Sequence, residues 1–349
     1  MTGERFYPQI DVTGTPKEMG LAHGRQLRDH IHTTVEAMRG RIDAEPYEAS
    51  WGDFQATLAY CREHAPDLVE EMEGIAQGAG VDFRDVFNIN AHLDLFVWKR
   101  LVWDARKTSE AAACSSHAVV TPSEILLGWN GDDWKGWLDC GAVVRGRPAA
   151  GEPFIYWSLA GSVGRPGMNR HLALGANSLP SHRWRPDGLL YPILSRRVLA
   201  CRSAEEGVEM LRGANACCGM NYLIADKTGN LVDVEVNAET VALQRPVDQG
   251  TENYLLHTNC FLDAGLAKRT VDPDAACPRL AAARRLYRER TPTDVAGVRA
   301  VQSDHTGGVC VHREESCTVV SFVAEVRAGR FHVIRGNPCT GTAQTYTVG

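Results

Sequence analysis

Cys114 follows the run Ala111-Ala112-Ala113 and leads into the strand-like stretch Cys114-Ser115-Ser116-His117-Ala118-Val119-Val120. A thiol there is either one more small apolar residue of a core strand or a nucleophile presented where a strand begins; the polar, small-residue approach favours the nucleophile. Asp132 lies 18 residues on, within Gly128-Trp129-Asn130-Gly131-Asp132-Asp133-Trp134. Asn130-Gly131 is a strong two-residue hairpin signal, so Asp132 is either a residue after a turn or a positioned acid. Asn259, in Leu256-His257-Thr258-Asn259-Cys260, stands at a strand end, where an amide satisfies buried backbone groups. His257 and His305 read as structural hydrogen-bonders, each with the chemistry to serve as a conventional base.

Eleven cysteines are present, at 61, 114, 140, 201, 217, 218, 260, 277, 310, 317 and 339. No C-x-x-C pair, no HExxH and no other paired ligands at short spacing occur, so neither a metal site nor a disulfide framework is expected. A P-loop and G-x-S-x-G are absent, and no G-x-G-x-x-G lies between a strand and a helix. Nucleotide-driven and serine-hydrolase chemistry lose their support, and no cofactor is expected.

The elements that must position these residues change character near residue 110. Helical spacing runs over 17–43, 50–64, 66–78 and 82–105. Gly20 and Gly24 share one face of the first helix, which points to close packing against another backbone. Beyond 113, strands are expected at 114–120, 124–129, 141–146, 153–159, 171–176, 220–225, 230–236, 240–244, 253–257, 317–324 and 330–335. Helical stretches near 190–214 and 275–301 interrupt them. Antiparallel sheets with helices segregated around them make an α+β protein. With no fixed-period repeat or linker, 1–349 reads as one domain.

Taken in order, Cys114, Gly128 to Trp134, His257-Thr258-Asn259, Ser303-Asp304-His305, Cys310-Val311-His312 and Asn337-Pro338-Cys339 resemble the isopenicillin N acyltransferase family of cysteine N-terminal-nucleophile hydrolases. The front segment Gly14-Thr15-Pro16 to Gly20 and His23-Gly24 resembles that family's opening, so the likeness spans nearly the whole chain. The resemblance implies a four-layer αββα sandwich and a chain that cuts itself between Ala113 and Cys114. A helical 1–113 fragment and a β-rich 114–349 fragment would result. It implies Cys114 as nucleophile, Asp132 orienting the amine or thiol, and Asn259 stabilising an oxyanion. An α-amine titrates near ~7.7–8.0, so a new N-terminal cysteine would carry a base for its own thiol. Hydrolysis or transfer of a small N-acyl amine, a β-lactam-type amide or an acyl thioester, acyl-CoA included, would pass through a thioester.

Two positions depart from that family. Ala113 stands in place of glycine, and its Cβ restricts the strained conformations open to attack on its carbonyl. Val311 stands where arginine is common; Arg313 lies two residues later, ~6.6 Å along an extended chain.

At 349 residues, with 44% hydrophobic and 23% charged side chains, the composition is that of a globular protein. The net charge of −6 and pI near 6.1, with no basic run, speak against a nucleic-acid partner. No apolar run approaches the ~20 residues of a membrane helix. The start carries no apolar leader-like region, so a cytoplasmic setting without membrane partners is expected.

Overall fold

Thr15 opens the first helix through a reciprocal cap: its Oγ1 accepts from the Glu18 amide at 3.3 Å, and Glu18 Oε2 accepts from the Thr15 amide at 2.8 Å. The computed structural model describes residues 5–43, 51–97, 113–179, 181, 183–267 and 277–348. The helix expected over 17–43 is two helices, α1 (Pro16–Gln26) and α2 (Arg28–Asp43). Leu27, at φ −110°, leaves the helical conformation between them. Helix α3 covers Trp51–His64, α4 Pro66–Ala79 and α5 Phe83–Ala91, the last continuing as a π-helix over His92–Val97. The rest of the helix expected over 82–105, and the expected loop before Cys114, lie outside the described residues.

Gly20 and Gly24 serve the close approach expected of them. A Cβ on Gly20 would sit 2.1 Å from the Glu71 carbonyl oxygen, and one on Gly24 2.2 Å from that of Ile75. Gly74 and Gly78 of α4 return the contact, with hypothetical Cβ atoms 2.7 Å from Lys17 O and 2.5 Å from Leu21 O. Four glycines let the two backbones touch.

The first strand, β1 (Gln9–Gly14), precedes these helices and is invisible to the alternation used above. The others are β2 (Ala113–Val120), β3 (Ile125–Trp134), β4 (Gly141–Pro148), β5 (Phe154–Leu159), β6 (Gly167–Asn169), β7 (Leu172–Ser178), β8 (Met220–Asp226), β9 (Leu231–Val236), β10 (Val241–Gln244), β11 (Tyr254–His257), β12 (Ser316–Glu325), β13 (Arg330–Arg335) and β14 (Ala343–Thr347). Strands β6 and β14 also lie outside the expected set. One sheet runs β1-β4-β5-β6-β7-β8-β9-β10, the other β11-β2-β3-β12-β13-β14. Except for the parallel β1–β4 pair, the ladders are antiparallel.

The turn expected at Asn130-Gly131 is absent, because β3 runs straight through both residues to Trp134. Asn130 is buried and its Nδ2 donates to Gln302 O and Val309 O. Gly131 lies under the Trp129 ring, where a Cβ would approach Trp129 Cη2 to 2.5 Å. Packing and buried hydrogen bonding overrule the local turn preference.

The two sheets face each other. Trp129 Nε1 donates to Ala176 O at 2.6 Å and Ser116 Oγ to Asn177 Oδ1 at 2.7 Å across the interface. The stretch near 190–214 forms α6 (Tyr191–Val198) and α7 (Ala204–Gly213), which pack on the eight-stranded sheet with α1; α4 and α5 stack on these. After the short α8 (Ala264–Ala267), the stretch near 275–301 forms α9 (Pro278–Glu289) and α10 (Val295–Gln302). These cover the six-stranded sheet through Leu280, Tyr287, Val298 and Val301 against Val119, Leu126, Leu256 and Val323. The result is the αββα sandwich implied by the resemblance. No helix among the described residues is long and apolar enough to cross a membrane.

Candidate active site

Cys114 is the second residue of β2 and pairs with Gly131 on β3, while Ala113 pairs with Asp132. This register sets Asp132 beside the Ala113–Cys114 peptide, although 18 residues separate it from Cys114 in sequence. Asn259 arrives from the segment after β11, itself paired with β2. Its Oδ1 accepts from the Cys114 backbone N–H at 2.8 Å, and its Nδ2 donates to Ser178 O and Oγ at 2.9 and 3.2 Å. Both ends of the amide are therefore engaged, with the oxygen turned to Cys114 and the NH2 group to Ser178. In this arrangement Asn259 orients the Cys114 nitrogen; an oxyanion would have to compete with Ser178 for its NH2 group.

Arg279, in the first turn of α9, escaped the sequence reading. Its Nη1 donates to Cys114 O at 3.1 Å and to Asn259 Oδ1 at 2.7 Å, and its Nε to Gly308 O at 3.1 Å. The backbone N and O of Cys114 are thus held from one side by an amide and a guanidinium. No local pattern marks Arg279, because its partners lie 165 and 20 residues away along the chain. It brings to the site the fixed positive charge that Val311 lacks.

Asp132 is buried; its Oδ1 accepts from Thr318 Oγ1 at 2.6 Å, while Oδ2 is buried without a hydrogen-bond partner among the described residues. Burial pushes this carboxyl up to about 6, against the opposing pull of Arg279, the Thr318 hydroxyl and Arg313. Burial, with the nearby Asp132 charge, pushes the Cys114 thiol up to about 12, partly offset by Arg279 and by the Asp132 backbone N–H bonded to the sulfur. The thiol therefore rests protonated beside a carboxyl that titrates near neutral pH. Asp133 is also raised by burial and binds the Trp134 amide through Oδ1 at 2.7 Å.

Cys114 opens onto a cavity of about 510 Å³. Trp129, Trp134, Trp137 and Trp157 form its aromatic lining, and Arg41, Arg165 and Arg313 supply positive charge. Arg41 lies 5.3 Å from the Trp134 ring centroid and Arg165 lies 5.0 Å from that of Tyr191. Arg165 Nε is buried without a hydrogen-bond partner among the described residues. Arg313 lines the same cavity two residues beyond Val311, which also lines it.

The histidines are engaged elsewhere. His257 is fully buried, with Nε2 2.8 Å from Glu235 Oε1 and Nδ1 2.7 Å from Thr258 O. Burial lowers its proton affinity, but Asp233 and Glu235 outweigh that and raise it. His305 stacks edge-on against His312, 4.9 Å between ring centroids, beside Cys310 and Cys339. Against the expectation of no disulfide framework, Cys260 and Cys277 are bonded, joining the segment that carries Asn259 to the start of the helix that carries Arg279.

Residues 126–339 match the acyl-coenzyme A:6-aminopenicillanic acid acyl-transferase family. The match takes in Asp132, Asn259 and Arg279 and begins just after Cys114. The chain belongs to this family. It is 23% identical over 271 residues to the 40 kDa form of acyl-coenzyme A:6-aminopenicillanic-acid-acyltransferase from Emericella nidulans, covering 76% of this chain and 72% of that one. It is 24% identical to β-alanyl-dopamine/carcinine hydrolase from Drosophila melanogaster, covering 95% of this chain and 93% of the other. Penicillin V acylase from Agrobacterium tumefaciens superposes with a TM-score of 0.44 at 15% identity, over 67% of this chain and 86% of that one. The protein is an enzyme of the acyltransferase and amide-hydrolase class.

Proposed function

We propose that the chain cuts itself between Ala113 and Cys114 and then uses Cys114 as an N-terminal nucleophile on a small amide or acyl thioester. The carrying observation is the two-sided hold on Cys114, with Asn259 on its nitrogen and Arg279 on its carbonyl oxygen, at the wall of a closed-in cavity. In the first stage the thiol sulfur attacks the Ala113 carbonyl carbon and its proton passes to a base. Asp132, with a free buried oxygen, is suited to that role as a carboxylate. The Ala113–Cys114 C–N bond breaks as the nitrogen takes up a proton, leaving a thioester. Water then cleaves the thioester, giving a carboxylate on Ala113 and a free thiol and α-amine on Cys114.

In the second stage that amine, oriented by Asn259, takes the thiol proton as sulfur attacks the substrate carbonyl. Transfer of the acyl group to water or to an amine completes the turnover. The fragments 1–113 and 114–349 would remain one interlocked body, because β1 lies in the eight-stranded sheet beside β4 and Tyr7 donates to Val319 O at 2.6 Å. The four tryptophans suit an apolar acyl group, and Arg165 and Arg313 suit an anionic group elsewhere on the substrate, such as the carboxylate of an N-acyl amino compound or the phosphates of an acyl-CoA.

Intact-mass measurement tests the first stage: the wild-type chain should yield fragments of 113 and 236 residues, and Cys114→Ala should stay whole. Ala113→Gly should cleave at least as fast as wild type. A Cys114→Ala chain still cut at this bond would refute self-cleavage by Cys114.

A further inference from the structure

The strongest unassigned feature lies behind the cavity wall. His305 follows α10, Cys310 and His312 lie on the segment entering β12, and Cys339 lies in the turn after β13. Their donor atoms all fall within 4.8 Å of one another. We propose that His305, Cys310, His312 and Cys339 bind one zinc ion in a tetrahedral two-thiolate, two-imidazole site.

Three distances carry the geometry. Cys310 Sγ and Cys339 Sγ lie 3.7 Å apart, Cys310 Sγ and His312 Nε2 3.4 Å, and His312 Nε2 and Cys339 Sγ 3.3 Å. With Zn–S bonds of ~2.3 Å and Zn–N bonds of ~2.0–2.1 Å, a regular tetrahedron has S···S edges of ~3.8 Å and S···N edges of ~3.5 Å. The three ligands already stand at tetrahedral separations. The two sulfurs are too far apart for a disulfide, whose S–S bond is ~2.05 Å. Residues two apart on an extended chain project to the same side, which is how Cys310 and His312 converge without a C-x-x-C spacing. Asn337 Nδ2, 3.3 Å from Cys310 Sγ and 2.7 Å from Val311 O, donates into the cluster and ties it to the backbone between its two nearest ligands. Two thiolates balance the charge of a divalent ion, and two neutral imidazoles complete the set.

The position gives the ion a structural task. Val311, between Cys310 and His312, lines the cavity, as do Arg313 to Ser316. The Val311 amide donates to Thr318 Oγ1 at 3.0 Å, and the same hydroxyl donates to Asp132 Oδ1. A metal holding Cys310 and His312 to the β13–β14 turn would fix this wall and the partner of Asp132.

The test uses the full-length protein. Elemental analysis after dialysis should find about one zinc per chain. A chelator-stripped sample titrated with cobalt(II) under reducing conditions should show thiolate-to-metal charge transfer and the intense visible bands of tetrahedral cobalt. His305→Ala removes the most accessible ligand and should weaken zinc at least ten-fold against a chromophoric chelator. Cys339→Ser should cut the thiolate band. The proposal fails if the reduced wild-type chain takes up no zinc, or if His305→Ala and Cys339→Ser leave zinc affinity unchanged. A resident Cys310–Cys339 disulfide in a non-reducing peptide map would equally overturn it.

Discussion

Asp132 and Arg279 are placed to control the Cys114 sulfur through charge. The folded Asp132 carboxyl titrates near 6, above the ~3.9 of an unfolded chain. The folded state therefore holds this proton more tightly than the unfolded state. Its stabilising contribution is complete below about 4 and is lost as pH rises through about 6. Function runs the other way, since a carboxylate is needed to accept or orient a proton. We expect turnover to rise through an apparent pKa near 6. Asp132→Asn should lose at least ~10²-fold in turnover and its acid limb, while its melting temperature at pH 8 stays at or above wild type. Near-normal turnover in that variant would return Asp132 to a structural role. Arg279→Lys keeps the charge but loses the fork that spans Cys114 O, Asn259 Oδ1 and Gly308 O. A fall of ~10-fold or more in acyl-enzyme formation is expected, measured as burst amplitude and rate with an activated ester; an unchanged burst would show that Arg279 acts only in the fold.

At the scale of elements, the crossing of α1 and α4 is set by glycine. Gly24→Ala would drive a Cβ to 2.2 Å from a backbone oxygen, which no rotamer change relieves. Overpacking of ~1–3 kcal/mol outweighs the ~1 kcal/mol that alanine gains in helix propensity. Gly40, exposed near the end of α2, has no atom within 4 Å of its hypothetical Cβ. Gly40→Ala should therefore stabilise by roughly 0.5–1 kcal/mol. Urea denaturation of the two variants should give shifts of opposite sign; the same sign for both would contradict the close crossing.

Across the whole molecule, the site depends on segments that meet only in the finished sandwich. Cys114 comes from β2, Asp132 from β3, Asn259 from beyond β11 and Arg279 from α9. The Cys260–Cys277 bond spans 17 residues and staples the carriers of Asn259 and Arg279 together. Closing a loop of that length is worth ~3 kcal/mol on chain-entropy grounds. A Cys260→Ser/Cys277→Ser double variant should melt lower and show a weaker acyl-enzyme burst, with processing and burst measured in parallel. An oxidised protein whose melting and burst match the double variant would mean the staple does not support the site.

How much of this is legible in the sequence depends on the range of the forces involved. Helix caps, the four-residue glycine spacing, most strands and the order of Cys114, Asp132 and Asn259 are written in short-range patterns, because capping, helical periodicity and strand alternation act over a few residues. The Asn130-Gly131 pair shows the limit: its local preference is for a turn, and a buried amide network with an indole ring overhead makes it strand. Arg279 carries no local mark at all. The Cys310–His312 pair has the wrong spacing for familiar metal motifs, and its partners His305 and Cys339 come from separate turns. Sequence by itself determined the helix-then-strand organisation and named the reactive cysteine with its two companions. Tertiary structure alone decided what holds that cysteine and which four side chains converge behind the cavity, because contacts between residues far apart in the chain are made only when the sheets close on each other.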